Sequence, residues 1–201
     1  AAESLCAFGG FGAAAISVVR EDELVTIAVA GVDRVIDADG TPIAAPDLLG
    51  RSSPVSLCED TLLPLADDWG LLKYIPHHRS NMPDLGWKVE GAYVGPQWHP
   101  SDLLLVPVRD TTGRLRGLLS MDAPIDGMLP PPELRPVLER YAAQASQVLL
   151  TALEREEVAQ RQRLAVAARR MLSRAADSDS PEATLGAVAN DLIAAFDLAG
   201  M

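Results

Sequence analysis

The side chains with the widest chemical repertoire in this chain are concentrated between positions 74 and 99. Tyr74, His77, His78, Arg79, Trp87, Trp98 and His99 bring phenol, imidazole, guanidinium and indole groups together. Aromatic residues make up 4% of the sequence, so two readings of this concentration stay open. In the first, Trp87 and Trp98 form apolar walls of a pocket, and Tyr74, His77, Arg79 or His99 orients a small molecule there. In the second, the tryptophans fill the core and the histidines are solvated. The first reading assigns ligand contact to Tyr74, His77, Arg79, Trp87, Trp98 and His99. Metal chemistry is not expected. His77 and His78 are adjacent and point to opposite faces of an extended strand. No His, Cys or Asp set has zinc-type spacing. No cofactor can be named.

Nucleophilic chemistry would rest on Cys58, in Ser56-Leu57-Cys58-Glu59-Asp60. A helix starting here could lower the thiol pKa. A cysteine beside Leu57 and Leu62 also behaves as a small buried hydrophobe. Gly9-Gly10-Phe11-Gly12 has neither the spacing nor the lysine of a phosphate-binding loop. Asp33, Asp37, Asp39 and Asp47 are scattered through a proline-containing segment and solvate it. Asp122 closes an apolar run and is suited to hydrogen-bonding nearby backbone. No catalytic residue is assigned.

The elements that must position these groups follow from apolar patterning. Positions 11–19 and 24–30 are apolar strands around the charged loop Arg20-Glu21-Asp22-Glu23, a hairpin signal. Positions 32–54 are broken by Gly40, Pro42, Pro46 and Gly50 and read as irregular. Positions 56–69 read as a short helix, with Leu57, Leu62 and Leu65 at helical spacing. Positions 71–76 are a third strand, and 79–96 a long loop with a brief extended piece at 87–94. Positions 103–108 and 115–121 form a second hairpin around Gly113. Pro130-Pro131-Pro132 then opens a long helix.

The chain has 201 residues, 48% hydrophobic, and a net charge of −11. That is enough for one well-buried domain and an appendage. The acidic balance argues against nucleic acid or an anionic membrane as partner, since both need clustered basic charge. No apolar run reaches the roughly 18 residues of a membrane helix. The N-terminal stretch lacks a basic region and does not read as a signal peptide. Two cysteines, Cys6 and Cys58, are too few for a disulfide framework, so a cytoplasmic setting is expected.

Gly117-Leu118-Leu119-Ser120-Met121-Asp122, Pro124, Gly127, Pro130 and Tyr141-Ala142-Ala143-Gln144-Ala145 resemble the last two strands and closing helix of a GAF domain. Trp98-His99-Pro100-Ser101-Asp102 and Leu105-Val106-Pro107-Val108-Arg109 are similar to GAF domains beside diguanylate cyclase and phosphodiesterase modules of actinobacteria. The resemblance covers about 1–153. It implies an α/β (α+β) fold, with a central antiparallel sheet, flanking helices and a long C-terminal connector helix. It also implies that the third strand and following loop border a ligand pocket. The function implied is non-catalytic: sensing an unknown small molecule within a larger signalling protein, with cyclic-di-GMP turnover as an associated output. The NKFDE motif of cyclic-nucleotide GAF domains is absent, which counts against cyclic GMP. The local context of a bilin-attachment cysteine is absent too. A structural dimerisation module without ligand is the alternative. A reductase using Cys58 is a weaker one, because GAF-type methionine sulfoxide reductases rely on several cysteines.

From Leu134, apolar or small residues recur at Leu138, Tyr141, Ala145, Val148 and Ala152, a heptad seam. Val137, Leu149 and Leu153 widen it into a stripe that can cover a sheet. Continued as a helix to Ala175, the segment is about 65 Å long, the geometry of a connector or homodimer spine. Glu157 and Arg161 form an i,i+4 pair. The expected organisation is a sensor domain at 1–153 with an incomplete first helix, a helical linker at 154–175, and the truncated start of a second GAF-like domain at 176–201. Ser180 and Pro181 would open the last helix. Expected partners are a second copy, a small-molecule ligand and a downstream output domain, with no nucleic acid and no membrane.

Overall fold

The computed structural model describes residues 2–31, 35–36, 42–43, 45–80, 88–89 and 97–176. The chain divides into two compact units, Ala1–Leu150 and Thr151–Met201. The first contains helix α1 (Ala2–Gly9), strands β1 (Phe11–Arg20), β2 (Glu23–Ala30), β3 (Val35–Ile36), β4 (Pro42–Ile43), β5 (Ser52–Pro54), β6 (Asp67–Trp69), β7 (Leu72–Ile75), the short helix α2 (His77–Ser80), and β8 (Lys88–Val89), β9 (Leu103–Arg109) and β10 (Leu115–Pro124). Helix α3 (Arg135–Ala176) follows. Seven strands form an antiparallel sheet in the order β5-β2-β1-β10-β9-β7-β6, and β4-β3-β8 form a second, small sheet. This is the antiparallel sheet with flanking helices and long C-terminal helix that the resemblance implied. Among the described residues, no helix is long and apolar enough to cross a membrane.

β1 lies in the middle of its sheet and is buried along most of its length. A strand covered on both faces reads as a near-continuous apolar run, and Phe11 to Val19 is one. Its hairpin to β2 is tighter than the expected four-residue loop. Arg20 already pairs with Glu23, leaving Glu21 and Asp22 at φ 48° and 69°. Positive φ at both central residues matches the right-handed strand twist.

Alternation divides the sheet's contacts between two faces. On one, Leu24, Ile75, Leu105, Leu115 and Leu118 pack with Cys58 and Leu62. On the other, Gly117 lies under the α3 side chain Leu149. A Cβ at Gly117 would come within 3.0 Å of that leucine and closer still to the Ser17 carbonyl, so the absent side chain permits the close approach. Leu149 is buried, as the covering stripe required.

Several expectations are corrected. The helix at 56–69 is a π-helical turn (Leu57–Leu62), then a 3₁₀ turn (Leu63–Leu65), then β6. Pro64 prevents continuation, having no N–H and clashing with the preceding turn. Ala66 is extended, with ψ 143°. The irregular stretch 32–54 contains β3, β4, a 3₁₀ turn (Ala45–Leu48) and β5. Of the expected loop at 79–96, α2 takes Arg79 and Ser80, while β8 at Lys88–Val89 falls within the brief extended piece expected at 87–94. Its remaining positions lie outside the described residues. The long helix starts at Arg135 rather than at the proline triplet. Pro136 has no N–H to give the Pro132 carbonyl and its ring would clash with it, so the helix begins just before Pro136, where the missing N–H has no intrahelical partner to lose. Leu134 bridges the gap, donating its N–H to the Pro131 carbonyl and accepting from Val137 and Leu138. The segment proposed as a second GAF-like domain lies, from 177 onward, outside the described residues.

Candidate functional site

The site is organised by Asp102, the residue just before β9. Asp102 is 1% exposed, and its carboxylate accepts four hydrogen bonds. Oδ1 accepts from the His77 N–H (2.8 Å) and His77 Nδ1 (3.1 Å). Oδ2 accepts from the Tyr74 hydroxyl (2.9 Å) and the His99 N–H (2.9 Å). The segment Trp98 to Asp102 thereby closes on itself. The Asp102 N–H donates to the His99 carbonyl, and the Ser101 N–H donates to His99 Nδ1 at 3.1 Å. An aspartate three residues after His99, with Pro100 between, is built for such a turn. β7 delivers Tyr74 because it pairs with β9, Tyr74 facing Leu104, and α2 begins with His77.

Of the six residues singled out for ligand contact, four converge here. The His77 and His99 rings stack at 3.8 Å. Tyr74 and Trp98 pack at 5.9 Å, and each is 6% exposed. Arg79 stands apart, paired with Asp67 at 2.6 Å. Trp87 lies outside the described residues. Trp98 donates its indole N–H to Asp122 Oδ1 at 2.6 Å and meets Phe11 edge-on at 6.0 Å. Asp122 also accepts from the Ala123 N–H, the local backbone bond its sequence position suggested. Burial pushes the Asp122 carboxyl up to about 7, against the pull of these two donors and with a further push from Asp102.

The ligating atoms of His77, His99 and Asp102 fall within 4.8 Å of one another, which invites a metal. The bonding pattern argues otherwise. The four acceptor positions of Asp102 are already used. His99 Nδ1 accepts a backbone N–H, which leaves its ring proton on Nε2, the atom that would have to ligate. The rings are 22° from parallel, so their in-plane lone pairs do not converge. The trio is a hydrogen-bonded anchor that fixes the imidazoles.

The anchor continues toward α3. Tyr74 stacks on Trp69 at 4.7 Å, and the Arg135 guanidinium lies 3.6 Å from the centroid of the Trp69 ring. One turn further on, Glu139 Oε1 accepts the Leu71 N–H at 2.9 Å, across the turn where Gly70 has φ 71°. A Cβ at Gly70 would overlap that carboxylate. Two residues in the first turns of α3 thus hold the β6–β7 hairpin from above and at its tip.

Cys58 is buried on the other face, where burial pushes its thiol up to about 11, with Glu59 adding and Arg109 opposing. That is the environment of an inert cysteine.

Comparison with known proteins bears on the fold. No family model matches the chain, and no curated protein matches it. Among solved structures, the bacteriophytochrome RpBphP3 from the photosynthetic bacterium R. palustris superposes with a TM-score of 0.53 at 18% identity, over 96% of this chain and 40% of that one. The fold is GAF-like. The chain spans 40% of the bacteriophytochrome's length, and at this identity the likeness concerns architecture alone. An IcIR transcriptional regulator from Alicyclobacillus acidocaldarius matches at 15% identity over 72% of this chain and 63% of that one, with a TM-score of 0.38.

Sequence reasoning passed over Asp102, Trp69, Arg135 and Glu139. Asp102 had a local signal, an aspartate ending a turn just before a buried strand. The other three had none, since Glu139 meets Leu71 across 68 positions.

Proposed function

We propose that this chain is a non-catalytic sensory module of a larger signalling protein. It binds a small molecule at the Tyr74–His77–His99–Asp102 cluster and relays the state of that cluster through α3. The observation that carries this reading is the unbroken line of contacts from His77 and His99 through Asp102, Tyr74 and Trp69 to Arg135 and Glu139. A change in the imidazole pair that moves Asp102 would move Tyr74, then the ring on which Arg135 rests. His77 and His99 form the ligand-facing part, and Trp98 is the packed wall behind them. Cyclic-di-GMP turnover is the output this reading favours, in a cytoplasmic protein.

Dimerisation through α3 belongs to the same proposal. In the seam Leu134–Leu138–Tyr141–Ala145–Val148–Ala152, Leu138 is turned into the domain while Leu134, Tyr141 and Val148 are exposed. These recur every seven residues, the spacing a second helix would cover. The burial of Tyr74 and Trp98 favours a second reading, a dimerisation module with no ligand.

Hydrogen exchange separates the two. His77→Ala should change protection in the first turns of α3, and Trp69→Leu should suppress that response while Tyr74 keeps its bond to Asp102. Unchanged α3 protection in His77→Ala would remove the relay. A bound small molecule on native mass spectrometry would favour sensing, and its absence after exposure to cell extract the ligand-free module.

A further inference from the structure

A hollow lies elsewhere on the sheet, on the face that carries Leu105 and Leu118. Its volume is about 90 Å³, and its walls include Ala15, Ser17, Thr26, Ser120, Leu48 and Arg51. The hollow exists because of side-chain size. Ala15 sits between Val29 and Ser120, and Ser17 between Thr26 and Leu118. Ser120 itself pairs with Leu105. The surrounding positions are large and apolar, while the centre of the patch is Ala, Ser, Thr and Ser. A leucine or valine at Ser17 or Ser120 would fill it at a gain in buried apolar area.

The substitution of hydroxyls for methyls has chemical content. Three hydroxyls line one small space, and Ser17 Oγ and Thr26 Oγ1 lie 3.2 Å apart. One such bond uses a single donor of the pair, so the patch keeps further hydrogen-bonding capacity. The lining's one charged residue is Arg51, in a chain of net charge −11. Its place is set from both ends: the backbone carbonyl accepts the Thr26 N–H at 2.9 Å, and Nε donates to the Asp47 carbonyl at 3.0 Å. The Asp47 carboxylate is on the same turn but does not line the hollow. A site of this size is well below the roughly 300 Å³ at which pockets for larger organic ligands begin.

We propose that this hollow binds a small oxyanion, inorganic phosphate or a short carboxylate. Arg51 balances the charge, and Ser120 together with one hydroxyl of the Ser17–Thr26 pair, the other being committed to their mutual bond, donates to its oxygens. The site is separate from the Asp102 cluster and does not depend on the relay reading.

The test is titration of the full chain, followed by backbone amide NMR, with inorganic phosphate and with acetate at constant ionic strength. Acetamide serves as the uncharged counterpart of acetate, and chloride as the control. Saturable shifts at Ala15, Ser17, Thr26 and Ser120 are expected with one or both anions and not with acetamide or chloride. Saturation by phosphate alone identifies a phosphate site, and by acetate alone a carboxylate site. Arg51→Gln should weaken binding about tenfold or more, the loss of a charge-assisted hydrogen bond. Ser120→Val should abolish binding by filling the space while the fold, checked by the same spectra, persists. No saturable shift, equal binding of acetamide, or undiminished binding in Arg51→Gln would overturn the proposal. None of these results bears on the hydrogen-exchange response of α3, so the two readings stand or fall separately.

Discussion

Asp122→Asn probes the energetics of the buried network. Asp122 is 8% exposed, and burial raises its carboxyl from 3.8 to about 7. The folded state therefore holds this proton more tightly than the unfolded state. The stability contributed by that preference is fully present below the unfolded pKa, near 3.8, and is lost as pH rises through about 7. At about 1.4 kcal/mol per tenfold change in proton affinity, the loss amounts to about 4 kcal/mol. Asparagine keeps an oxygen to accept from Trp98 and Ala123 but cannot ionise. Its amide adds a buried donor that a protonated carboxyl lacks, costing about 1–3 kcal/mol. The variant should be less stable than the native chain by about that much near pH 4, close to the unfolded pKa, and of equal or greater stability near pH 8. The decisive quantity is the difference between the two proteins' unfolding free energies, from denaturant melts across this range. Other titrating groups cancel in it, and it should shift by about 4 kcal/mol in favour of asparagine as pH rises. A difference independent of pH would mean that Asp122 ionises as an ordinary carboxylate, and the burial argument would fail.

Gly31→Ala should destabilise severely, by about 3 kcal/mol or more, because φ is 74° and the new Cβ would overlap the Gly12 carbonyl. A thermal melt checks this. Cys58 should resist alkylation at neutral pH until the protein unfolds, since its thiol is buried and raised to about 11. Mass spectrometry with and without denaturant reads the outcome. Leu149→Asp should unfold the domain, losing a few kcal/mol of packing and burying an unpaired charge. Val148→Asp, at an exposed position, should leave the chain folded on circular dichroism and dissociate a helix-mediated dimer on light scattering. A Val148→Asp protein that remains dimeric would place the interface elsewhere.

Much of the fold is legible in the residue order. The two long hairpins follow from apolar runs broken by charged or glycine-containing turns, and the C-terminal helix from a pattern that repeats every three to four residues. These signals are local, so they survive without knowledge of the rest of the chain. The Glu157–Arg161 pair, at 3.3 Å, is of the same kind, since helix geometry alone brings positions four apart together. The failures are also local in origin, and their causes lie in backbone sterics: Pro64 ends a turn that apolar spacing would have extended, and Pro136 delays a helix that the proline triplet was expected to start.

Concentration of aromatic and imidazole groups between 74 and 99 was visible in the sequence, but their arrangement was not. His77 and Asp102 are 25 positions apart and meet only because β7 pairs with β9. Asp122 reaches Trp98 because β10 runs back along β9. Arg135 and Glu139 find Trp69 and Leu71 because α3 covers one face of the sheet. Whether Trp98 was wall or plug was likewise undecidable from composition. Burial depends on what the other strands bring to it, and its indole N–H is satisfied by a carboxylate 24 positions away. Periodicity along the chain determines which residues share a strand face or helix stripe. Strand register and helix docking decide which faces meet, and only then do separated side chains acquire the distances that hydrogen bonding and stacking require.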